Sequence, residues 1–274
     1  MSYLGFVPMM ENFIKFTAKR TNSIVSILEI GVDEGQTALP LMSSLAQTDL
    51  EWQMTGVDIR NSKLFMQQVL MTRGLKPSML SKTLDEKDTS GWNYHYAIEN
   101  SLDFLPRLIN FNKTKAPQDR FAYDLVLLDG DHNYQTVLKE LELLSQLTHD
   151  YSLIVMDDYR GRYSNKDGYY ADSEKHAGLD HKELERGGEK QGVKTAVKDF
   201  LAENSDWHLF DPAEVVPGEV ACLVRKLEIG VETSSMYERL PTNQWRQINL
   251  AHRWCQNWQF RFRNDADIES LERT

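Results

Sequence analysis

The segment SILEIGVDEG, residues 26–35, determines how the rest of the chain is interpreted. Its first half is a short apolar run, which is typical of a strand buried on both faces. Its second half contains Gly31 and Gly35, and a helical pattern follows. Glycine suits a strand-to-helix turn that a ligand must approach closely, because no Cβ stands in the way. The segment therefore predicts a strand, a turn and a helix, either as a ligand-binding turn or as an ordinary connection.

Short β-rich runs alternate with helical patterns along the following chain. The runs are residues 54–59, 94–98, 123–128, 153–156, 207–210 and 220–224. Such alternation predicts a mostly parallel sheet with helices on both faces. With the first strand the runs number seven, so we expect an α/β domain with a Rossmann-like, doubly wound, seven-stranded sheet. Helices are expected near 62–72, after Ser101 as a candidate cap, on the stripe of Val137, Leu141 and Leu144, and at 193–201.

Two regions depart from this alternation. Residues 160–192 are polar, charged and rich in glycine, which predicts either a lid over the site or a variable surface loop. Residues 227–274 leave the alternating pattern, and we expect a helical C-terminal extension there that follows a domain over 1–226. Its apolar side chains recur at helical spacing and favour core packing or a homo-oligomer contact: Leu250, Trp254, Trp258 and Phe262.

Composition limits the function classes. Of 274 residues, 41% are hydrophobic and 26% charged, so a sizeable core is expected. Cys222 and Cys255 are too few for a disulfide framework and lack zinc-site spacing, which favours a reducing, cytoplasmic setting. No apolar run is long enough to predict a membrane span. The net charge of −10 disfavours nucleic acid as a partner, although arginines interleave with the aromatic residues of the tail.

Acidic side chains follow three further predicted strands. Asp58 ends the second strand, where a carboxylate can accept both hydrogen bonds of a ribose diol. Asp129 and Asp131 follow the fourth strand, and Asp157 and Asp158 follow the fifth. The carboxyl ends of parallel strands meet at one edge of a sheet, so these carboxylates are expected to converge. A hard divalent cation such as Mg²⁺ would relieve their repulsion, and solvated loop acids or helix caps are the alternative.

Five motifs in this order resemble those of class I S-adenosylmethionine-dependent methyltransferases. They are EIGVDEG (29–35), GVDI (56–59), IENS (98–101), LLDGDHNY (127–134) and VMDDY (155–159). Within that class they are most similar to the metal-dependent macrocin and other sugar O-methyltransferases, and more distantly to catechol O-methyltransferase. The resemblance covers roughly residues 23–226. It implies transfer of a methyl group from S-adenosylmethionine to a hydroxyl of a small-molecule acceptor, a sugar or a catechol-like compound, with help from Mg²⁺.

The resemblance also implies roles for individual residues. The cofactor would be bound by Glu29, Gly31, Gly35, Thr37, Asp58, Asn100, Ser101 and Asp129. The metal would be bound by Asp129, Asp157 and Asp158. The catalytic base would be His132 or Asp131. A histidine is favoured because its ordinary pKa is about 6.5, and Asp131 could instead orient His132 or cap the next helix.

Other functions remain open at this stage. A nucleotide-dependent dehydrogenase needs GxGxxG, but Glu29 stands where its first glycine belongs. A metal-independent N-methyltransferase would leave the clustered aspartates unexplained. A non-catalytic S-adenosylmethionine-binding protein would keep the motifs without turnover. If 160–192 is a lid, its ring-bearing residues could contact a ring-shaped acceptor: Tyr163, Tyr169, Tyr170, His176 and His181.

Overall fold

The fold is taken from a computed structural model of the chain. It describes residues 10–11, 13–15, 17–18, 24–62, 69, 77–79, 94–116, 120–172, 174–176, 178–179, 188–210 and 219–225. The predicted extension at 227–274, with its apolar stripe, lies outside the described residues, as do His181 and nearly all of the helix expected at 62–72. The division into 1–226 and 227–274 therefore stays a prediction.

Eight strands of the described part of the chain form one sheet. They are β1 (Val25–Ile30), β2 (Trp52–Asp58), β3 (Pro77–Met79), β4 (Tyr94–Ile98), β5 (Tyr123–Leu128), β6 (Thr148–Met156), β7 (Trp207–Phe210) and β8 (Ala221–Arg225). Their order is 3-4-2-1-5-6-8-7, and the pairings are parallel except those of β8 with β6 and β7. This confirms the doubly wound, mostly parallel α/β sheet; the short edge strand β3 adds to the seven predicted strands.

Within the described ranges, four α-helices have defined bounds and pack on the sheet: α1 (Ala38–Leu45), α2 (Ser101–Lys113), α3 (Tyr134–Leu144) and α4 (Val193–Glu203). The stripe of Val137, Leu141 and Leu144 is buried on α3 as predicted. Two single turns of 3₁₀ helix, Tyr170–Asp172 and Glu174–His176, lie in the insertion. No helix among the described residues is long and apolar enough to cross a bilayer.

The core has two halves, one on each face of the sheet. Successive side chains of a strand point to opposite faces, so Leu28 and Ile30 pack with α2, α3 and α4, whereas Val25 and Ile27 pack with α1. Each such apolar side chain contributes about 1.5–3 kcal/mol when fully buried. The chain order reverses between β1 and β5, and in a sheet of this kind ligands bind at the carboxyl ends of the strands beside that reversal.

Candidate active site

The glycine turn after β1 is held close to the end of β5. Gly31 has a left-handed backbone with φ +84°, and a Cβ placed on it would fall on the carbonyl oxygen of Asp129. Gly35 is also left-handed, with φ +74°. The structure thus gives Gly31 a second reason to be glycine, because the turn must pack against the backbone of the neighbouring loop as well as admit a ligand.

Glu29 is a buried carboxyl group at the end of β1. It is 1% exposed, and its Oε2 has no hydrogen-bond partner among the described residues. Burial, followed by the charges of Asp129 and Asp58, raises the pKa of Glu29 well above its usual range. A carboxyl group in this position favours a cationic ligand, since a cation would offset the cost of keeping the charge out of water.

Asp58, at the end of β2, is held by backbone groups of two loops. Its Oδ2 accepts a hydrogen bond from the N–H of Asp33 and its Oδ1 accepts one from the N–H of Arg60, both at 2.7 Å. The side chains of Asp33 and Arg60 form an ion pair beside it. Each carboxylate oxygen can accept a second hydrogen bond, so the group is fixed in orientation but can still receive the two hydroxyls of a ribose.

A cavity of about 280 Å³ joins these groups at the carboxyl edge of the sheet. Seven of the eight predicted cofactor residues line it, and Gly35 does not. The seven are Glu29, Gly31, Thr37, Asp58, Asn100, Ser101 and Asp129. The sheet topology therefore brings together motifs that are 100 positions apart in the sequence.

The side of this cavity beside α2, where the prediction placed adenine, differs in detail from the prediction. Asn100, and not Ser101, caps α2, because its Oδ1 accepts a hydrogen bond from the N–H of Leu102 at 2.9 Å. The Ser101 hydroxyl donates to Oε1 of Glu140 at 2.5 Å. Glu140 was missed by the sequence analysis. It is fully buried in α3, and burial raises its pKa to about 8. The sequence signal that could have identified it is an acidic residue on the apolar face of a predicted helix.

The predicted metal site is only partly assembled as expected. One ligand atom each from Asp129, His132 and Asp157 lies within 4.8 Å of the others. Asp158 lies on the other side of the imidazole, with its Oδ2 3.4 Å from His132 Nδ1, while His132 Nε2 is 3.5 Å from Asp129 Oδ1. The imidazole thus stands between two predicted metal ligands.

His132 is 4% exposed and surrounded by acids. Burial alone would lower its pKa, but the hydrogen bond that the imidazole donates to Asp129 and the charges of Asp129, Asp158 and Asp157 raise the pKa above the ordinary value. Burial and the charge of Asp129 raise the pKa of Asp157 to about 7. Two carboxylates and an imidazole within one small space fit the donor set of a divalent cation, and a protonated imidazole would also relieve the repulsion.

Asp131 has both carboxylate oxygens engaged at the start of α3. Its Oδ1 accepts from Nδ2 of Asn133 at 2.6 Å, and its Oδ2 accepts from the hydroxyl of Thr136 at 2.8 Å. These contacts tie Asp131 to side chains at the start of α3, which favours a structural role over the role of a base.

The described part of the insertion packs against the site through an aromatic wall, which we define as Tyr163, Tyr170 and His176. Tyr163 and Tyr170 contact the ring of His132, with centroids 5.4 and 5.8 Å away, and Tyr170 contacts His176 at 5.1 Å. Tyr170 and His176 line the cavity. Tyr169 points elsewhere, with its hydroxyl 3.4 Å from Oδ2 of Asp167.

Residues 28–159 match the family described as a methyltransferase domain, and this match covers the strands and loops that build the cavity. This segment of the chain is therefore similar to a methyltransferase domain. The predictions of a class I methyltransferase and of an enzyme are confirmed. No curated protein sequence matches the chain.

Three solved structures show how far the likeness extends. The MycE methyltransferase of the mycinamycin biosynthetic pathway, in complex with Mg and S-adenosylhomocysteine (SAH), is 16% identical over 84% of this chain and 53% of that one, with a TM-score of 0.45. Human methyltransferase-like protein 13 with SAH is 13% identical over 92% and 90%, with a TM-score of 0.45. The SAH-bound methyltransferase PaMTH1 of Podospora anserina is 16% identical over 80% and 78%, with a TM-score of 0.41. The chain thus spans about half the length of the first.

Proposed function

We propose that the protein transfers a methyl group from S-adenosylmethionine to a hydroxyl of a small, ring-shaped acceptor, assisted by a divalent cation such as Mg²⁺. The observation that carries the proposal is the convergence of the glycine turn, Asp58, Ser101 and Asp129 on one cavity. The acid cluster, which we define as Asp129, Asp157 and Asp158, lies at the same edge of the sheet, where the acceptor would meet the methyl group.

The methionine part of the cofactor would lie between the glycine turn and the start of α1. Thr37 precedes that helix and lines the cavity, and a helix start offers free N–H groups to a carboxylate. The unpartnered Oε2 of Glu29 would accept hydrogen bonds from the ammonium group. Asp58 would bind the ribose hydroxyls, and Ser101 would face the adenine.

Asp129 and Asp157 would hold the cation. When bound, a divalent cation lowers the pKa of a hydroxyl and orients it for attack. The position of Asp158 beside His132 Nδ1 favours an orienting role. With a proton held on Nδ1, and with Asp129 bound to the cation instead of to Nε2, Nε2 would accept the proton of the acceptor. We therefore propose His132 as the base, while Asp131 holds the side chains of Asn133 and Thr136 at the start of α3.

The aromatic wall would contact the acceptor. Flat rings pack well on the apolar face of a hydroxylated ring, while the carboxylates behind them receive its polar edge. A sugar or a catechol-like phenol fits this combination of an aromatic surface and an acidic floor.

A metal-independent methyltransferase is the second candidate, and the raised pKa of His132 favours it. A protonated imidazole among Asp129, Asp157 and Asp158 explains the cluster without an ion, and an amine acceptor would then need no activation of a hydroxyl.

The test is transfer of labelled methyl from S-adenosylmethionine to a panel of sugars, catechols and amines, with Mg²⁺ or Mn²⁺ and with EDTA. We expect methylation of hydroxyl acceptors that EDTA abolishes and that Asp129→Asn and Asp157→Asn each lower by at least about a hundredfold, while Asp157→Asn still binds SAH. Turnover of amines that survives EDTA and both substitutions would favour the metal-independent function instead.

A further inference from the structure

Two helices at the site begin without a cap of their own. The side chain of Asn133, which precedes α3, makes no capping hydrogen bond, and Gly192, which precedes α4, has no side chain. The first N–H groups of a helix have no partner within the helix and must find an acceptor elsewhere.

A single carboxylate from the insertion serves both helices. Oδ1 of Asp167 accepts hydrogen bonds from the N–H of Tyr134 and from the N–H of Gly192, each at 2.8 Å. A carboxylate is well placed at a helix start because the aligned peptide dipoles leave partial positive charge there. Asp167 therefore joins the beginnings of α3 and α4 to the insertion.

Neighbouring backbone hydrogen bonds strengthen this junction, by which we mean the contact of the insertion with the starts of α3 and α4 at Asp167. The N–H groups of Val193 and Lys194 donate to the carbonyls of Tyr163 and Ser164, both at 3.0 Å. Gly192 has φ +81°, and a Cβ there would collide with the backbone of Ser164. The segment that carries Asp167 is thus fitted closely to the start of α4.

The junction lies between the two tyrosines of the aromatic wall. Tyr163 stands four residues before Asp167 and Tyr170 three residues after it, and both contact His132, which lies two residues before α3. Holding α3 and the insertion together at Asp167 therefore also holds the two tyrosines against His132. Tyr170 and His176 in turn form part of the cavity lining.

We propose that Asp167 is a positioning residue that keeps the aromatic wall over the cavity and so slows release of the bound cofactor. The inference rests on the proposed function, because the cavity must be the cofactor site. Asp167 itself touches neither the cavity nor the acid cluster, and it acts through Tyr170.

The experiment measures the rate at which SAH dissociates from the full chain and from its variants. Asp167→Ala removes the acceptor of two helix-start N–H groups, and we expect release about tenfold faster. Asp167→Asn keeps an oxygen that can accept the same bonds, so most of the wild-type rate should return. Asp172→Ala, a change at an exposed acid of the same insertion, is the matched control and should leave the rate unchanged.

The double variant Asp167→Ala/Tyr170→Ala tests whether the effect passes through the wall. We expect it to release SAH no faster than Tyr170→Ala alone. If Asp167 acts only by holding Tyr170 in place, its loss has no further effect once the Tyr170 ring is absent. The inference would be overturned if the double variant released SAH faster than Tyr170→Ala by the factor seen for Asp167→Ala alone. It would also be overturned if Asp167→Ala released SAH at the wild-type rate. If Asp167→Ala does not fold, Tyr170→Ala decides, because an unchanged rate there means that the wall does not retain the ligand. A wild-type chain that binds no SAH would instead overturn the proposed function, and the inference with it.

Discussion

At the scale of single residues, the site is marked by ionisable groups in places that stability alone would not favour. Glu29, His132 and Glu140 are each at most 4% exposed, and each has its pKa moved by burial and by neighbouring charges. Only Glu29 and His132 could be singled out from the sequence, because they belong to motifs. Glu140 lies on an apolar helix face, and its link to Ser101 joins residues 39 positions apart.

Replacing Glu29 by glutamine separates stability from binding. The variant keeps the shape but removes a buried carboxyl that lacks a partner, so we expect a higher melting temperature without ligand. SAH should bind at least about tenfold more weakly, because a charge-assisted hydrogen bond to its ammonium group is lost. Calorimetry and thermal unfolding measure the two effects, and Glu51→Gln at an exposed position is the control. Unchanged affinity would exclude Glu29 from the cofactor site.

Glu140 predicts a pH dependence of stability. Its pKa is raised from 4.5 to about 8 in the folded chain, so the folded state holds the proton more tightly than the unfolded state. Its contribution to the free energy of unfolding is complete below about pH 4.5 and is lost as the pH rises towards 8. We expect Glu140→Gln to gain stability relative to wild type over this range in urea unfolding. For Glu142→Gln, a half-exposed neighbour on α3, the free energy of unfolding should change with pH as it does in the wild type. If the free energy of unfolding of Glu140→Gln changed with pH as it does in the wild type, the burial of a protonated acid would be contradicted.

At the scale of elements, hydrophobic patterning predicted the strands that are buried on both faces and failed where polarity changes along a strand. β1 and β5 were predicted to within a residue, because their side chains are buried throughout. β6 begins at Thr148, five residues earlier than predicted, since the polar stretch before Leu153 still pairs with β5 across a register shift. β3 has three residues and starts with proline, so no hydrophobic pattern predicted it.

The turn after β1 allows a test at this scale. Gly31→Ala combines a left-handed backbone with a collision against the Asp129 carbonyl, whereas Gly178→Ala meets the same backbone strain in open space. We expect Gly31→Ala to lower the free energy of unfolding by at least about 2 kcal/mol more than Gly178→Ala. It should also weaken SAH binding, because the loop that carries Asp129 must shift. Equal losses of stability in the two variants would show that the β1 turn can relax away from β5.

At the scale of the whole molecule, the order of strands and helices could be predicted, and with it the edge where the site lies. The packing of the insertion could not be, because it depends on contacts such as Asp167 with Tyr134 and Gly192, which no periodicity encodes. The same holds for the placement of His132 between Asp129 and Asp158, where the motif predicted proximity but not arrangement.

The central claim is that the cavity at the carboxyl edge of the sheet binds S-adenosylmethionine. Titration of SAH into the purified chain, once with Mg²⁺ and once with EDTA, tests it most directly. We predict saturable binding at one site in both titrations, since Glu29, Asp58 and Ser101 do not depend on a metal. Absence of binding in both would contradict the account, because the glycine turn and Asp58 would then serve the fold alone.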